Sequence, residues 1–320
     1  MSTAISRRFF LKTGVAAAAC SVVSSSPVAR AANALKEGKP IATLLDISKC
    51  IGCEECVYAC QESNEEKFPE PVKPFPKMYP GRVPIMDWSE KRDVMDRLTP
   101  YNWLFIQHAT VEIDGEETAL TIPRRCMHCT NPPCVKLCPF GAAQQFDNGI
   151  SKIDSDICLG GMKCKTVCPW LIPERQTGIG IYLDILPSFV GNGVMYKCDR
   201  CYQKIEAGEL PACIESCPED VQTIGPRDEI IKQAHALADK TNGYIYGEHE
   251  NGGTNTIYVS PVPFDELNKA VAQGPGKPHM KPVKDTMAAA NNLTTAMMLA
   301  PFAGLFAAFG KFYSMSKKED

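Results

Sequence analysis

Short apolar segments, bounded by turn-forming or charged residues, run along most of this chain. Residues 41–47 and 256–262 are predicted β-strands, because hydrophobic residues predominate in both. Residues 103–113 and 118–122 flank the pair Asp114-Gly115, which strongly favours a tight turn, so we expect a β-hairpin there. These patterns describe a fold of short strands joined by loops.

One segment has the spacing of an amphipathic helix. Within residues 228–240, apolar side chains share one helical face, and Asn242-Gly243 provides a stop signal. Residues 61–100 are rich in Pro, Lys and Glu and are predicted to form an insertion or linker. The apolar face of the predicted helix consists of Ile230, Ile231, Ala234, Leu237 and Ala238.

The first 31 residues combine the features of a twin-arginine export signal. Arg7-Arg8 precedes a mildly apolar, alanine-rich stretch and then the small-residue cleavage site Ala29-Arg30-Ala31. A short basic amphipathic helix of the mature protein is the alternative. Cys20 lies inside this segment, as an ordinary signal residue or as the acceptor cysteine of a lipoprotein. We expect residues 1–31 to be removed on export to the periplasm.

A membrane-related pattern also occurs near the C-terminus. Residues 286–310 carry no charged side chain. As a helix they would extend about 37 Å, compared with about 30 Å for the hydrocarbon layer. The apolar part, residues 293–309, is shorter and contains Pro301, so a buried amphipathic helix is the alternative. We predict a transmembrane helix at 287–310, with the folded part on the periplasmic side of the inner membrane.

Composition excludes several classes of protein. Of the 320 residues, 44% are hydrophobic and 22% are charged, so the chain is neither disordered nor fibrous. The net charge of −3 gives no basic excess that would indicate a nucleic-acid partner. The 16 cysteines are too sparse for a small disulfide scaffold, and a chain of this length can form a core without disulfides. The spacing of the cysteines indicates their role instead.

All cysteines except Cys20 fall into four groups. Three groups end in a Cys-Pro pair, and the first has C-x2-C-x2-C-x3-C spacing. In such a motif three close thiolates hold one iron–sulfur cluster, and the fourth reaches a neighbouring cluster. The groups are Cys50, Cys53, Cys56 and Cys60; Cys126, Cys129, Cys134 and Cys138; Cys158, Cys164 and Cys168; and Cys198, Cys201, Cys213 and Cys217.

Two other uses of these cysteines fit the spacing less well. Paired C-x2-C units also form zinc ribbons, but zinc sites rarely use C-x2-C-x2-C-x3-C spacing. Disulfides between adjacent cysteines would close strained small loops. Export to an oxidising compartment is compatible with clusters, because the twin-arginine route carries folded cargo and ligation protects the thiols. We therefore predict iron–sulfur clusters, whose soft ligands are thiolates.

The cysteine motifs resemble those of a known family. From about residue 41 to residue 310, the chain is similar to the iron–sulfur β-subunits of formate dehydrogenase, nitrate reductase and dimethyl sulfoxide reductase. Within that family it most resembles hydrogenase-2-type iron–sulfur subunits, which also have a twin-arginine signal and a C-terminal membrane helix. The matching motifs are C-I-G-C-E-E-C at 50–56, C-M-H-C at 126–129, N-P-P-C at 131–134, Y-G-E at 246–248 and G-G-T at 252–254.

The resemblance implies an α+β fold. It would contain two pseudo-symmetric ferredoxin-like modules, each of the type that holds two clusters, with insertions and a C-terminal transmembrane helix. The implied division of the chain is a signal peptide at 1–31, a first module at 41–62 and 190–225, an insertion at 63–119, a second module at 120–189, an extension at 226–285 and the membrane helix at 287–310.

The resemblance also implies a ligand set for each cluster and no catalytic residue. In the family, the first group pairs with the fourth and the second with the third, and each group gives its last cysteine to its partner's cluster. The sets are Cys50, Cys53, Cys56 and Cys217 for cluster 1; Cys198, Cys201, Cys213 and Cys60 for cluster 2; Cys126, Cys129, Cys134 and Cys168 for cluster 3; and Cys138, Cys158 and Cys164 for cluster 4.

Cluster 4 lacks a cysteine. Gly161 stands where the family has one, and glycine has no ligand atom. We predict a [3Fe–4S] cluster there and [4Fe–4S] clusters at the other sites; a [4Fe–4S] cluster completed by water or a nearby side chain, or no cluster, are alternatives. By resemblance, cluster 4 would lie at the quinone end. His128, between two predicted ligands, either donates a hydrogen bond to cluster sulfur or is an ordinary packed or solvated histidine.

The function implied by the resemblance is electron transfer within a membrane-bound periplasmic oxidoreductase of the hydrogenase or formate dehydrogenase type. The partners would be a catalytic large subunit, of the NiFe or molybdopterin type, and an integral membrane quinone or cytochrome b subunit. A subunit of a polysulfide, tetrathionate or dimethyl sulfoxide reductase is an alternative. Two further hypotheses are a reductase acting at the incompletely ligated cluster and a zinc-stabilised interaction module.

Overall fold

A computed structural model describes residues 39–78, 81–185 and 192–288. The predicted export signal, and all but the first two residues of the predicted transmembrane helix, lie outside these ranges. Among the helices within them, none is long and apolar enough to cross a membrane.

Short strands and helices alternate through the described residues, and the chain has a mixed α and β structure. The strands are β1 (Ile41–Asp46), β2 (Phe105–Ile113), β3 (Glu116–Arg124), β4 (Ala143–Gln145), β5 (Ser151–Ile153), β6 (Glu174–Gln176), β7 (Val194–Tyr196), β8 (Gln222–Pro226), β9 (Tyr244–Tyr246) and β10 (Thr256–Ser260). The helices are α1 (Glu55–Asn64), α2 (Pro133–Lys136), α3 (Lys163–Thr166), α4 (Tyr182–Ile185), α5 (Tyr202–Glu206), α6 (Ala212–Glu215), α7 (Arg227–Thr241) and α8 (Phe264–Ala270), with 3₁₀ turns at Ile47–Lys49, Glu65–Lys67 and Glu250–Gly252.

The largest sheet has four strands, in the order β8, β1, β10, β9. Strand β1 is parallel to β10 and antiparallel to β8, and β9 is antiparallel to β10. Every residue of β1 is buried, as is typical of a strand that is covered on both faces. This sheet joins β1 and most of β8, from the predicted first module, to β9 and β10 of the predicted C-terminal extension.

Helix α7 covers one face of this sheet. Its buried residues Ile230, Ala234 and Ala238 pack with Ala42 and Leu44 of β1 in one apolar cluster. The helix and its apolar face confirm the amphipathic pattern predicted over 228–240. Burial of this face, rather than intrinsic helix propensity, is the main source of stability for such a helix.

Both predicted turn signals adopt left-handed backbone conformations. Asp114 and Gly115, with φ of 54° and 84°, connect β2 to β3, and Asn242, with φ of 49°, ends α7. The hairpin is confirmed, and its second strand is longer than predicted, because pairing runs along all nine residues of each strand.

The predicted insertion at 61–100 begins later in the structure, because α1 continues to Asn64. After the turn at Glu65–Lys67, the described residues between 68 and 104 contain neither a helix nor a strand. The last turn of this helix is held inward, because the buried Asn64 amide donates to the Cys60 carbonyl at 2.8 Å.

The main core lies on the other face of the sheet and contains many of the cysteines. Ile41 and Leu45 of β1 share this core with cysteines of all four groups. A large part of the interior therefore consists of thiol groups, so ligation of a cofactor would contribute directly to folding. The buried cysteines of this core are Cys56, Cys60, Cys126, Cys129, Cys134, Cys158, Cys164, Cys198 and Cys213.

Candidate metal centres

The four cysteine groups begin with the same local backbone conformation. Two residues after the first cysteine, the chain has a positive φ at Gly52 (72°), His128 (47°), Gly160 (61°) and Arg200 (57°). A left-handed residue turns the chain sharply, and it is uncommon for residues other than glycine. Its recurrence at one position in four loops indicates a repeated structural unit.

The first and fourth groups meet around two cavities. Each cavity is lined by cysteines from both groups. Helix α1 contributes Cys56 to the first cavity and Cys60 to the second cavity. Helix α1 also packs against α6, which carries Cys213. The first cavity is lined by Cys50, Cys53, Cys56 and Cys217, and the second by Cys60, Cys198, Cys201 and Cys213.

The second and third groups meet in the same way. The third cavity is lined by four cysteines, with Trp170 and Pro173 among the apolar residues around them. At the fourth site, burial is the main cause of the raised pKa of Cys164, and the nearby thiols of Cys158, Cys134 and Cys138 raise it further. Helices α2 and α3 pack against each other beside these residues. The cysteines of the third cavity are Cys126, Cys129, Cys134 and Cys168.

The chemistry of these donor sets fits iron–sulfur clusters. Burial raises the pKa of Cys198 to about 11 and that of Cys168 to about 12, because a buried thiolate loses its solvation. Such thiols ionise when a positively charged group lies between them. Among the described residues, no three His, Cys, Asp or Glu side chains converge on a position for a single metal ion. Sulfurs spread around a cavity suit a polynuclear cluster better than one zinc ion.

The loop of the third group repeats the backbone of the first group without its middle thiol. Gly160 and Met162 have φ of 61° and 58°, and the two matching residues of the first group have 72° and 62°. A helix begins at the next residue in both loops. Gly161 therefore occupies the backbone position that corresponds to Cys53.

The space beside Gly161 is open. A Cβ atom built there meets no heavy atom within 4 Å beyond its chain neighbours. At the adjacent Gly160, by contrast, a Cβ atom would lie 2.3 Å from the carbonyl oxygen of Gly193. The described residues therefore bring three cysteines to the fourth site, and the backbone position of the missing cysteine has open space beside it.

Backbone amides donate hydrogen bonds to several of the sulfurs. The three N–H groups belong to Arg200, Val221 and Met195, with donor–acceptor distances of 3.3, 3.4 and 3.5 Å. Hydrogen bonds to sulfur are one way in which a protein sets a cluster's reduction potential. The respective acceptors are the Sγ atoms of Cys198, Cys217 and Cys158.

Buried cations lie among the cysteines, including Arg125, Lys197 and Arg200. Arg125 donates from Nη1 to Cys213 Sγ at 2.8 Å; burial lowers the pKa of its guanidinium, but the thiolates of the second site raise that pKa by more. Lys197 lines the third cavity, and its Nζ donates to the carbonyl oxygen of Cys198 at 3.1 Å. The cysteine motifs did not predict these residues. For Arg125 and Lys197, the available signal was a basic residue directly before the first cysteine of a group.

His128 lines the third cavity in a neutral form. Burial and the charges of Arg200 and Lys197 hold the pKa of its imidazole well below the usual value. Its Nδ1 accepts the Ser151 N–H at 3.1 Å, so the proton lies on Nε2, which has no partner among the described residues. A role for His128 as a hydrogen-bond donor to cluster sulfur stays a prediction. That role requires a proton on Nε2, as in the tautomer described here.

Comparison with known proteins identifies the class of this protein. Residues 49–142 and residues 118–227 match two families that are both described as 4Fe-4S dicluster domains. Over 304 residues, the chain is 29% identical to the hydrogenase-2 operon protein HybA of Escherichia coli O157:H7, covering 82% of this chain and 83% of HybA. The chain is thus an iron–sulfur protein with ferredoxin-like dicluster domains.

The iron–sulfur subunits of formate dehydrogenases are similar over a shorter range. The nitrate-inducible subunit of E. coli strain K12 is 30% identical over 226 residues, which cover 68% of this chain and 67% of that subunit. The iron–sulfur subunit of the Haemophilus influenzae formate dehydrogenase is 31% identical over 236 residues, which cover 68% of this chain and 64% of that subunit. The chain belongs to the family of these iron–sulfur subunits, as its cysteine motifs predict.

Proposed function

We propose that this protein is an electron-transfer subunit that relays single electrons between a catalytic large subunit and a membrane quinone or cytochrome b subunit. When bound, iron–sulfur clusters supply one-electron oxidation and reduction. The cysteines of the three cavities and the fourth site would hold them, in the ligand sets predicted above. The chain itself binds the clusters, buries them and sets their electrostatic surroundings.

The observation that carries this proposal is the continuity of the four sites. Cys56 and Cys60 lie about one helical turn apart on α1, and they line the first and the second cavity respectively. Lys197, which lines the third cavity, directly precedes Cys198 of the second cavity. Cys134 of the third cavity lies on α2, which ends two residues before Cys138 of the fourth site. A series of neighbouring sites is the arrangement that a relay needs.

Both ends of the series reach the protein surface. Cys53 is exposed at the first site, with Ile51 and Tyr58 exposed nearby in the sequence. At the fourth site Gly161 is exposed, and Phe140 is exposed two residues after Cys138. Apolar surface at each end favours docking of a partner there, while the second site lies entirely in the interior.

At the fourth site we propose a [3Fe–4S] cluster. Cys138, Cys158 and Cys164 supply three thiolates, and Gly161 supplies none. The open space beside Gly161 supports this assignment, because no described heavy atom beyond its chain neighbours lies within 4 Å of a Cβ atom built there. Three of the four sites have complete sets of cysteines and would hold [4Fe–4S] clusters.

The names of the relatives indicate the class of the catalytic partner. One relative is named as a hydrogenase-2 operon protein, and others are iron–sulfur subunits of formate dehydrogenase. We propose that this chain serves a catalytic subunit of one of these types, NiFe or molybdopterin. Purification of the native complex and identification of its large subunit would test the assignment, and a large subunit of neither type would contradict it.

Export and anchoring are proposals from the sequence. Replacement of both Arg7 and Arg8 by lysine should leave the precursor in the cytoplasm. Normal export of that variant would contradict a twin-arginine signal. Truncation before Met287 should release the lone mature subunit into the periplasm. Retention of that truncated subunit in washed membranes would contradict anchoring by 287–310.

Metal analysis combined with an activity assay tests the relay against its rivals. The purified chain should contain iron and acid-labile sulfide, should be reduced by dithionite, and should not oxidise hydrogen or formate alone. Zinc without sulfide would support the interaction module instead. Turnover of a substrate by the isolated chain would support a reductase.

A further inference from the structure

Asn251 connects the third site to the segment that leads to the C-terminus. Its Nδ2 donates to Cys129 Sγ at 3.3 Å. Its Oδ1 accepts the N–H of Thr286 at 3.0 Å and the hydroxyl of Thr286 at 2.7 Å. Its backbone N–H donates to the carbonyl oxygen of Val283 at 2.9 Å. One residue thus touches both a predicted ligand and both ends of the 283–286 segment.

These contacts fix the orientation of the Asn251 amide. The side chain is fully buried, and two donors from Thr286 point at Oδ1. A flipped amide would place its NH2 group against those donors, so only the observed orientation satisfies them. The NH2 group must then face Cys129. Asn251 also has φ of 55°, a left-handed conformation that asparagine tolerates better than most residues.

The segment that binds Asn251 stands directly before the apolar run of the sequence. The Met287 N–H donates to Asp285 Oδ1 at 2.8 Å, and Met287 is buried. The 283–286 segment and Met287 are therefore packed on the protein at the point where the predicted membrane helix begins. Displacement of this segment would remove the contacts that hold the Asn251 amide against the sulfur.

We propose that Asn251 is a positioning residue that couples the seating of the 283–286 segment to the reduction potential of the cluster at the third site. An N–H donor at a ligand sulfur stabilises the more negative, reduced state and so raises the potential. Seating of the segment holds this donor in place. This inference rests on the proposed function, because it requires a cluster bound by Cys129.

Redox titration of the full-length, cluster-loaded protein, followed by electron paramagnetic resonance, tests the coupling. Asn251→Gly keeps the backbone conformation and removes the amide. It should lower the midpoint potential of one [4Fe–4S] signal, the one that Cys129→Ser abolishes. Thr286→Val removes one of the two donors to Oδ1 and should lower the same potential by a smaller amount, with the other signals unchanged.

Thr241→Val is the matched control. The Thr241 hydroxyl donates to the Leu237 carbonyl on the exposed part of α7, so its loss should move no potential. Unchanged potentials in Asn251→Gly and Thr286→Val would overturn the inference, even if stability falls. If Asn251→Gly does not assemble, Thr286→Val decides alone. Absence of iron from the unmodified protein would instead overturn the proposed function, and the two failures are thereby distinguished.

Discussion

Arg125 Nη1 donates to the sulfur of Cys213 at 2.8 Å, inside the protein. The same guanidinium donates from Nη2 to Thr43 Oγ1 at 3.1 Å, so β1, an inner strand of the sheet, holds it against the second site. Both partners are buried, and the charge is therefore weakly screened. A permanent cation beside a ligand sulfur favours the reduced state of a bound cluster.

Arg125→Met should lower the potential of the cluster at the second site. Two unit charges about 5 Å apart interact by about 3 kcal/mol at an effective dielectric constant of about 20, equivalent to about 140 mV for one electron. This value sets the order of magnitude of the expected decrease, which redox titration would measure. Potentials at the other sites should change less.

Arg124→Met is the control for this prediction. Arg124 is also fully buried, but its Nη2 donates to the carbonyl oxygen of His279 at 2.9 Å. Its loss should reduce stability by about 1–3 kcal/mol, the cost of unpaired buried hydrogen-bonding groups. An equal fall in potential in both variants would show that the effect of Arg125 does not depend on its contact with Cys213.

Alanine substitutions at the adjacent residues Gly160 and Gly161 should have different effects on stability. Gly160→Ala places a Cβ atom 2.3 Å from the Gly193 carbonyl oxygen at a residue with φ of 61°, and should destabilise the loop by at least about 1–2 kcal/mol. Gly161→Ala meets nothing within 4 Å and should be tolerated. Thermal unfolding and iron content of the two variants measure the difference. Equal losses would contradict the backbone described for this loop.

Serine at cysteines from different groups tests the ligand sets. Cys60 and Cys213 line the same cavity although they are far apart in sequence, so Cys60→Ser and Cys213→Ser should perturb the same spectroscopic signal. Cys53→Ser should perturb a different signal, since Cys53 lines the first cavity. If Cys53→Ser and Cys60→Ser perturbed the same signal, the pairing of the first and fourth groups would be wrong.

Sequence patterns predicted the elements whose interactions are local. The Asp114-Gly115 turn and helix α7 follow from turn chemistry and apolar periodicity, and both occur where predicted. The cysteine spacing likewise identified the kind of site, because three ligands of a cluster come from one short loop.

Sequence patterns did not predict contacts between residues that are far apart in the chain. The parallel pairing of β1 with β10 joins residues that are more than 200 positions apart, and no local signal specifies that partner. The contact of Asn251 with Cys129 depends on the left-handed conformation of Asn251 and on Thr286, which fixes its amide. Tertiary packing determines both contacts, so only the structure reveals them.

The electron paramagnetic resonance spectrum of the oxidised protein tests the central claim most directly, together with an iron count. Three complete sets of cysteines and one set of three predict about 15 iron atoms per chain and a three-iron signal of about one spin. Gly161→Cys, for which the structure has room, should remove that signal and lower the potential at the fourth site. An oxidised protein with four diamagnetic four-iron clusters per chain would contradict the account of Gly161, and a protein without iron would contradict the relay itself.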